Sequence, residues 1–399
     1  MIPGQVLWRI APTVLAVFVC FVGIGATISV IPLYVSEGMG LSSTVVGLVV
    51  ASQYLSMLLA RPTAGSCVDS RGPKAALQRG AVFFLLCGIG YLWSAMAAAV
   101  AVKLTVLVGA RLLLGIAESY IVTGALAWAI RHVGAHHSGV VMSWNGNAMY
   151  GGIAVGAPLV GLLGPAGGLV PVAWLSVLLG GIGASIIFLL RPYAPTGGVR
   201  APFHRALRLI AQPGTGLLLA SVGYGTILGF VNLLFQHNGW STQLSAISGF
   251  GLAYVVVRVF FGGLPDKYGG VRIAFWSLII ESVGQALLYS AANEYVALLG
   301  SVLSGAGFSL VVPAFGVEAV RRVPPESRGA AVAGYLVFFD LAFGVAIPFA
   351  GVLADVYAIR VVYLFGLVCS LAGLLLAARM VPAVGLPVLA KEAPDSVNE

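Results

Sequence analysis

Twelve long apolar stretches separated by short polar connections most strongly limit how this chain can fold. A helix needs about 20 apolar residues to cross the hydrocarbon core of a membrane. The connections between the stretches are too short to fold alone, so we predict an all-α membrane protein with twelve transmembrane helices. The predicted segments are 13–35, 43–66, 79–100, 104–127, 140–163, 171–190, 214–236, 243–265, 273–292, 295–318, 330–354 and 360–381.

Composition supports a membrane protein, because 59% of the residues are hydrophobic and only 9% are charged, against about 25% charged in soluble domains. The 53 glycines suit helices that approach one another closely in lipid. The four cysteines lie in or beside apolar segments, without the spacing of a disulfide framework or a zinc site. The apolar run 14–35 that follows Arg9 is too long for a signal peptide, so we expect it to remain as the first span.

The positions of Lys and Arg predict the orientation. With a cytoplasmic N-terminus, 18 of the 21 Lys and Arg fall in inside loops or at inside helix ends, as the positive-inside rule requires. We therefore expect a multi-pass protein of the plasma membrane, a bacterial inner membrane, with both termini cytoplasmic. The net charge of +8 is scattered over these loops rather than gathered in one patch, which argues against nucleic-acid binding.

The longest inside connection separates six predicted helices from six others. Its Phe203, Leu207 and Ile210 would share one helical face, with Arg205 and Arg208 on another, as in a short helix lying on an anionic lipid surface. A solvated basic linker is the alternative. The predicted division is a first bundle at 1–190, a cytoplasmic linker at 191–213, a second bundle at 214–382 and a cytoplasmic tail at 383–399.

The two halves repeat one another. The pattern R-x3-G-x3-D-x2-G occurs at 61–72 and again at 258–269, an offset of 197 (258 − 61), and 115–139 aligns with 305–329 at an offset of 190 (305 − 115). The second offset also aligns Pro158 with Pro348 and Gly161 with Gly351. Because six helices is an even number, both copies start on the same side, and we predict two parallel six-helix bundles related by pseudo-symmetry.

At these motifs the sequence resembles the major facilitator superfamily, in particular its drug and metabolite proton antiporters. GSCVDSRGPK (65–74) resembles the family's signature between helices two and three, with Pro73 where a basic residue is usual, and RLLLGIAE (111–118) resembles its fourth-helix motif. GGIAVGAPLVG (151–161) resembles the fifth-helix motif of antiporters that export their substrates, although Ala157 intervenes before the proline. The motif residues in helix five are Gly152, Gly156, Pro158 and Gly161.

The repeated loops are interpreted as a gate. A tight reversal needs the permissive dihedral angles of glycine, an aspartate can face the positive N-terminal end of a neighbouring helix, and the basic residues can pair with that carboxylate or with lipid phosphate. In the resemblance these loops hold the inside ends of the two bundles together, and simple topology anchors are the alternative. The predicted gating-loop residues are Gly65, Asp69, Arg71, Gly72, Lys74, Gly262, Asp266, Lys267 and Gly269.

Four ionisable residues lie well inside predicted spans: Arg111, Glu118, Glu281 and Asp340. In the fourth segment, the cost of Arg111 and Glu118, about +3 kcal/mol each, nearly cancels the gain from its apolar residues, at about −0.5 kcal/mol each. Such a helix has a reason to carry its charges, which is usually a transport pathway or a proton relay. A carboxyl in a partly dehydrated cavity can take up a proton on one side of the membrane and release it on the other. Glu118 and Asp340 are therefore proton-coupling candidates, Glu281 is either one or a packing residue, and Arg111 is either an anion-binding residue or a structural one.

Polar and aromatic residues at similar depth are candidates to line the substrate cavity, with interhelical hydrogen bonds as the alternative. They are Gln53, Tyr54, Trp144, Asn145, Asn147, Tyr224, Asn232 and Tyr335. His132, His136 and His137 lack a fourth ligand at zinc spacing, so we expect no metal site.

These observations predict a secondary transporter that exports a small organic solute in exchange for protons. A proton symporter or a uniporter that imports a metabolite is the alternative within the class, and a non-transporting receptor or scaffold is the alternative outside it. The chain has no phosphate-binding G-x-x-x-x-G-K-S/T loop and none of the residue constellations of an enzyme. We expect a monomer whose partners are the solute, protons and membrane lipid, with no cofactor.

Overall fold

The computed structural model describes residues 3–134, 137–162, 168–195, 208–240, 246–323 and 328–380, and all structural statements below concern these residues. Within them the chain forms twelve long helices. They are α1 (Pro3–Leu33), α2 (Ser43–Arg71), α3 (Pro73–Met96), α4 (Val100–Val133), α5 (Ser138–Leu162), α6 (Leu169–Leu189), α7 (Ala211–His237), α8 (Ala246–Phe261), α9 (Gly270–Ser290), α10 (Glu294–Arg321), α11 (Arg328–Val356) and α12 (Val361–Met380). A π-helical turn, Tyr34–Gly38, extends α1, and a short helix, Leu264–Tyr268, follows α8.

Ten of these helices are long and apolar enough to cross a membrane, counted over the described residues. The other two are α5, whose 25 residues include Trp144, Asn145 and Asn147, and α8, which is apolar but only 16 residues long. The prediction of twelve transmembrane helices in two bundles is confirmed. The helices are longer than the apolar segments suggested, since α1 begins at Pro3 and α4 runs from Val100 to Val133.

Helices α1–α6 pack into one bundle and α7–α12 into a second with the same internal crossings. In the first bundle a Cβ atom on Gly115 of α4 would lie 1.9 Å from the carbonyl oxygen of Gln53 in α2. In the second, a Cβ on Gly305 of α10 would lie 2.2 Å from the carbonyl oxygen of Phe250 in α8. These two crossings are related by the sequence offsets of 190 and 197, so the duplication in the sequence is also a duplication of packing.

The bundle has two ends. The proximal end is where α1 begins and α12 finishes, and the distal end is where α1 finishes and α12 begins. In α1 every residue from 20 to 32 is buried, and in α7 every residue from 220 to 231 is buried, so neighbours surround both helices in their distal parts. Towards the proximal end, Trp8 and Arg9 of α1 and Thr215 of α7 are exposed.

The two repeated motifs reverse the chain in different ways. Helix α2 continues through Gly65 and Asp69 to Arg71, and the chain then turns at Gly72, which has a φ of 86°. In the second copy the matching turn is at Gly269, with a φ of 89°, directly after the short helix Leu264–Tyr268 that contains Asp266 and Lys267. The expectation that Gly65 supplies a turn conformation is wrong, because Gly65 is helical, whereas Gly262 lies in the turn that follows α8, without a positive φ.

The first residues of the linker lie on the proximal end of the first bundle. The Trp128 indole donates to the carbonyl of Arg191 at 2.9 Å, and the His132 ring hydrogen-bonds to the Tyr193 hydroxyl at 2.5 Å. The interpretation of the linker as an amphipathic helix depends on Phe203, Arg205 and Leu207, which lie outside the described residues, and the predicted tail at 383–399 lies outside them as well.

Candidate functional site

Glu118 is a buried carboxylate in the middle of α4, with an exposed fraction of 6%. Its Oε2 accepts a hydrogen bond of 2.7 Å from the side-chain amide of Gln53 in α2. The two side chains meet because Gly115, one turn before Glu118, lets α4 approach the backbone of α2. The Gln53 Oε1 atom is buried and has no hydrogen-bond partner among the described residues. Two residues proposed separately from the sequence therefore form one polar pair.

An ion pair joins the two bundles close to Glu118. Arg61 of α2 contacts Asp340 of α11 through two bonds, from Nε to Oδ2 and from Nη2 to Oδ1, the latter 2.9 Å long. The Asp340 side chain is fully buried and that of Arg61 is 15% exposed. A two-point contact of this kind holds both side chains in a defined orientation. The charges of Asp340 and Arg61 lie within electrostatic range of Glu118.

Helices α2 and α11 pack closely from this ion pair towards the distal end. The ring of Tyr54 contacts that of Phe343, with centroids 4.5 Å apart. Further on, a Cβ on Gly47 would lie 2.8 Å from the carbonyl oxygen of Ile347, and one on Gly351 would lie 2.5 Å from that of Ser43. The interface therefore depends on small residues at both crossings, and a movement of one bundle against the other must separate these backbones.

At the distal end a carboxylate of one bundle caps a helix of the other. Asp355 of α11 accepts hydrogen bonds of 2.8 Å from the backbone N–H groups of Ser43 and Thr44, in the first turn of α2. Negative charge at a helix N-terminus is favourable because the first N–H groups have no partner within the helix. A second connection joins α7 to α1, where the Asn232 amide donates to the carbonyl of Ser29 at 2.8 Å. Asn232, proposed to line the cavity, thus bridges the two bundles.

Arg111 lies inside the first bundle. Its side chain is fully buried beside Cys87 and Tyr91 of α3, and none of its three side-chain nitrogens has a hydrogen-bond partner among the described residues. Its described neighbours thus include the adjacent helix α3. Glu118, seven residues further on, bonds to Gln53 instead.

Glu281 lies inside the second bundle, where α9 passes α7 and α10. It is fully buried, and neither carboxylate oxygen has a hydrogen-bond partner in the described part of the chain. A Cβ on Gly223 of α7 would lie 2.7 Å from its Oε1. One turn later, the Gln285 amide donates to the carbonyl of Gly223 and to the hydroxyl of Ser304. Glu281 is therefore placed within a polar region of its own bundle, separate from the Arg61–Asp340 pair.

An aromatic cluster lies between the bundles, near the centre. Tyr224 of α7 stacks on Phe250 of α8 with centroids 4.6 Å apart, and Tyr150 of α5 stacks on Tyr254 of α8 at 3.6 Å. The Tyr335 hydroxyl donates to the carbonyl of Val312 at 2.7 Å. Helix α5 thus brings an aromatic residue of the first bundle onto α8 of the second.

The polar residues predicted in α5 have different environments. Asn145 is buried, and its amide lies 3.4 Å from the sulfur of Met149. Asn147 is buried, and its Oδ1 has no partner among the described residues. Trp144 is partly buried against the hydrophobic core.

The glycines of the helix-five motif pack α5 against α1. A Cβ on Gly152 would lie 2.7 Å from the carbonyl oxygen of Phe18, and one on Gly156 would lie 2.0 Å from that of Val22. A Cβ on Gly161 would meet no atom of the described residues within 4 Å, and Pro158 is exposed. The first two glycines therefore set the α1–α5 distance, which Gly161 does not.

Lys74 of the first gating loop makes its contacts within its own bundle. Lys74 donates to the carbonyls of Phe188 and Leu190, at 2.8 and 2.6 Å, and so caps the end of α6. In the second loop, the Lys267 ammonium lies 5.1 Å from the ring centre of Tyr268. For Lys74, the expected pairing with a loop carboxylate or with lipid is replaced by helix capping. No group of three or more potential metal ligands occurs among the described residues.

Comparison with known proteins decides the family. The model of the Major Facilitator Superfamily matches residues 13–247 and 213–395. The chain belongs to the major facilitator superfamily. It is 41% identical over 377 residues to an uncharacterised MFS-type transporter of Pseudomonas aeruginosa, covering 94% of each chain. It is 38% identical over 359 residues to another from Salmonella typhimurium, covering 90% of this chain and 92% of that protein.

Solved structures of other superfamily members share the fold. A D-xylose-proton symporter matches with a TM-score of 0.75 at 18% identity, covering 94% of this chain and 98% of the other. The nucleoside transporter NupG matches with a TM-score of 0.72 at 12% identity, covering 94% and 100%. At these identities the likeness concerns architecture. As a superfamily member, this chain is a membrane transporter of a small solute.

Sequence reasoning did not identify two residues at the contact between the bundles. Arg61 was used as a marker of the repeat and of topology, and Asp355 was not selected at all. A signal was present in each case: Arg61 lies about three turns before the end of α2, deep enough to need a partner, and Asp355 is an acidic residue at the end of an apolar span. Their partners are 279 and more than 300 residues away in the chain.

Proposed function

We propose that this transporter works by alternating access and exports a small organic solute in exchange for protons, with Glu118 as the proton-binding residue. The observation that carries the proposal is the environment of Glu118, which is buried at the middle of the bundle and bonded to a neutral amide instead of a cation. Such a carboxylate is not held permanently in its charged form by a counter-ion.

Gln53 suits a carboxyl that changes its protonation state. A side-chain amide has both a donor and an acceptor. It can donate to the Glu118 carboxylate, as observed at 2.7 Å, and after rotation its Oε1 can accept from the protonated acid. Because Oε1 has no other partner among the described residues, the rotation breaks no described side-chain bond of that atom. Both states of Glu118 are then satisfied without a change in the backbone.

The Arg61–Asp340 pair is proposed as the element that senses this change. It spans the two bundles and lies within electrostatic range of Glu118. The Arg61 guanidinium is attracted both to Asp340 in the second bundle and to a charged Glu118 in the first. Loss of the charge on Glu118 removes the second attraction and so changes how Arg61 is shared between the two carboxylates. Proton binding is then linked to how firmly the bundles are held together, which is what coupling requires.

The conformation described here is proposed to be the one closed at the distal end. The burial of α1 and α7 on all sides in their distal parts, together with the Asp355 cap on α2, supports this assignment. The excess of Lys and Arg at the proximal end favours a cytoplasmic position for that end. In a bacterial inner membrane, this state would be ready to receive a solute from the cytoplasm.

Export is the proposed direction because the α5 glycines resemble the exporter motif, and Gly152 and Gly156 set the contact between α5 and α1. A proton symporter built on the same residues would move its solute the other way. The two mechanisms predict opposite dependence on the gradient, since an antiporter accumulates solute on the acidic side and a symporter on the alkaline side.

The test uses purified protein in proteoliposomes. A thermal-shift screen against metabolites and drugs first identifies a ligand, because binding to the folded state raises the apparent stability. With that ligand radiolabelled, Glu118→Gln should abolish accumulation driven by a pH gradient and keep counterflow exchange. Normal uphill transport by Glu118→Gln would contradict the assignment. Absence of any flux by the unaltered protein would favour a receptor or scaffold.

A further inference from the structure

The pseudo-symmetry of the two bundles relates Arg61 to Arg258 and Asp340 to Tyr150. Arg61 and Arg258 occupy the same place in the repeated motif, at the offset of 197, and 340 − 190 gives position 150. The two arginines thus face two equivalent interfaces, α2 with α11 and α8 with α5. At the first interface the arginine meets a carboxylate, whereas at the second the corresponding residue is a tyrosine.

Arg258 has weaker partners than Arg61. Its Nη1 donates to the carbonyl of Ser309 in α10 at 2.7 Å, and its guanidinium lies 5.8 Å from the ring centre of Tyr254. No carboxylate in the described part of the chain forms a salt bridge with it. A guanidinium carries five N–H donors, and one backbone carbonyl does not neutralise its charge. A partly buried arginine at this depth therefore lacks the anion that its symmetry mate has.

The space in front of Arg258 faces the other bundle. The Nη2 atom of Arg258 lies 3.9 Å from the position that a Cβ on Gly146 of α5 would take, and the Tyr254 hydroxyl lies 3.8 Å from the same position. A Cβ at Gly146 would therefore only touch these two groups, so no side chain of Gly146 stands between α5 and the guanidinium. Tyr150, the counterpart of Asp340, follows on α5 one turn after Gly146 and on the same face.

We propose that Arg258 binds the anionic group of the transported solute, on the side of the guanidinium that faces Gly146. The solute is then a small organic anion, and its carboxylate or an equivalent group takes the place that Asp340 occupies at the related interface. The inference rests on the transport function proposed above. The rings of Tyr150 and Tyr254 are buried and stack on each other beside the charge, with centroids 3.6 Å apart, so the group that reaches Arg258 in this conformation must be compact.

The solute would then contact both bundles at once, since Arg258 belongs to the second and Gly146 and Tyr150 to the first. The interface of α2 with α11 contains the Arg61–Asp340 ion pair, whereas at the interface of α8 with α5 the bound solute would supply the anion. Binding of the solute would therefore complete the second of two equivalent connections, which gives the solute different affinities for the conformations of the transporter.

Binding is tested in detergent, without a gradient, on the full chain. The probes are small aromatic and aliphatic carboxylates, each with its amide and its amine as matched neutral and cationic counterparts. Carboxylates should raise the midpoint of thermal unfolding by several degrees, whereas the amides and amines should not. The effect should disappear in Arg258→Gln, weaken in Arg258→Lys and persist in Arg272→Gln, a control that removes a cation from the exposed start of α9. Selective stabilisation by amines or amides, or equal stabilisation of Arg258→Gln by carboxylates, would overturn the proposal.

A second measurement needs no ligand. Tyr150→Asp places a carboxylate where the related interface has Asp340, and Tyr150→Asn removes the same ring without adding charge. The aspartate variant should unfold at a higher temperature than the asparagine variant and should no longer respond to carboxylates. Equal midpoints would mean that Arg258 already has its counter-ion, and the proposal would fail. Because these measurements do not involve transport, they can fail while Glu118→Gln behaves as expected, and the reverse also holds.

Discussion

Thr44 donates both its backbone N–H, at 2.8 Å, and its hydroxyl, at 2.6 Å, to the same carboxylate oxygen of Asp355. One side chain of the second bundle thus completes the first turn of a helix in the first. The contact exists only while the distal ends of α2 and α11 are together. Any conformation that opens the distal end must give up all the bonds made by this carboxylate.

Asp355→Asn is expected to favour opening of the distal end. The amide keeps one acceptor oxygen but loses the charge that interacts with the helix N-terminus, a loss of about 1 kcal/mol, or about fivefold in the population of the open state. Spin labels at Thr105→Cys in α4 and Tyr295→Cys in α10, in a background without the native cysteines, report the distal separation. Asn293→Ala removes a cap within one bundle and should leave the distance distribution unchanged; a similar shift in both variants would contradict the prediction.

Single neutralisation of the Arg61–Asp340 pair is expected to be more harmful than double neutralisation. Arg61→Gln leaves a fully buried carboxylate without its partner, which costs about 3–5 kcal/mol, whereas removing both charges costs much less. A double-mutant cycle of Arg61→Gln and Asp340→Asn, measured by unfolding of the purified protein, should give a coupling of at least about 2 kcal/mol. Additive effects of the two substitutions would show that the pair does not act as a unit.

Gly72→Ala and Gly65→Ala are expected to have opposite effects, although both glycines belong to the same motif. At Gly72 a Cβ would lie 2.4 Å from the carbonyl oxygen of Tyr193, and its φ of 86° is unfavourable for alanine. We expect a loss of about 1–3 kcal/mol. Gly65 is helical with nothing within 4 Å of its Cβ position, so alanine should stabilise α2 by about 0.5–1 kcal/mol. The measurement is the midpoint of thermal unfolding, which should fall in Gly72→Ala and rise in Gly65→Ala. Equal destabilisation by both substitutions would contradict this account.

Gly156→Ala is expected to push α5 away from α1. A Cβ there would lie 2.0 Å from the carbonyl oxygen of Val22, and backbone atoms cannot move aside as a side chain can. We expect a loss of about 1–3 kcal/mol in stability and a reduced rate of solute exchange, measured in proteoliposomes. Gly161→Ala is the matched control, because it adds the same methyl group to the same helix at a point where no described residue lies within 4 Å. Loss of exchange in both variants would remove the role given to close packing.

The fold could be predicted from sequence because membrane insertion requires helices of a certain length, and because the duplicated motifs relate the two halves. The ends of the helices were less predictable. Helix α4 extends several residues beyond the predicted span 104–127 on both sides, because its backbone hydrogen bonds continue past the charged residues Lys103 and Arg131 at which the span was ended. The sequence indicates a turn near Gly72. It does not give the length of the turn, because that length depends on whether α2 ends at Gly65 or continues to Arg71, as it does in the structure.

The site could be predicted in part. Gln53, Glu118 and Asp340 were each recognised as polar residues in apolar surroundings, which is a local property of the sequence. The pairing of Asp340 with Arg61 joins positions 279 residues apart and depends on how the two bundles meet. Hydropathy describes each span separately and does not include that relationship.

The buried guanidinium of Arg111 has a consequence for how the protein is made. If α4 left the translocon alone, this cation would face lipid tails, at a cost of about 3 kcal/mol. In the folded protein it lies instead beside Cys87 and Tyr91 of the preceding helix. Helices α3 and α4, joined by a connection of three residues, 97–99, would therefore enter the bilayer together as a hairpin, so that the order of synthesis itself shelters the charge.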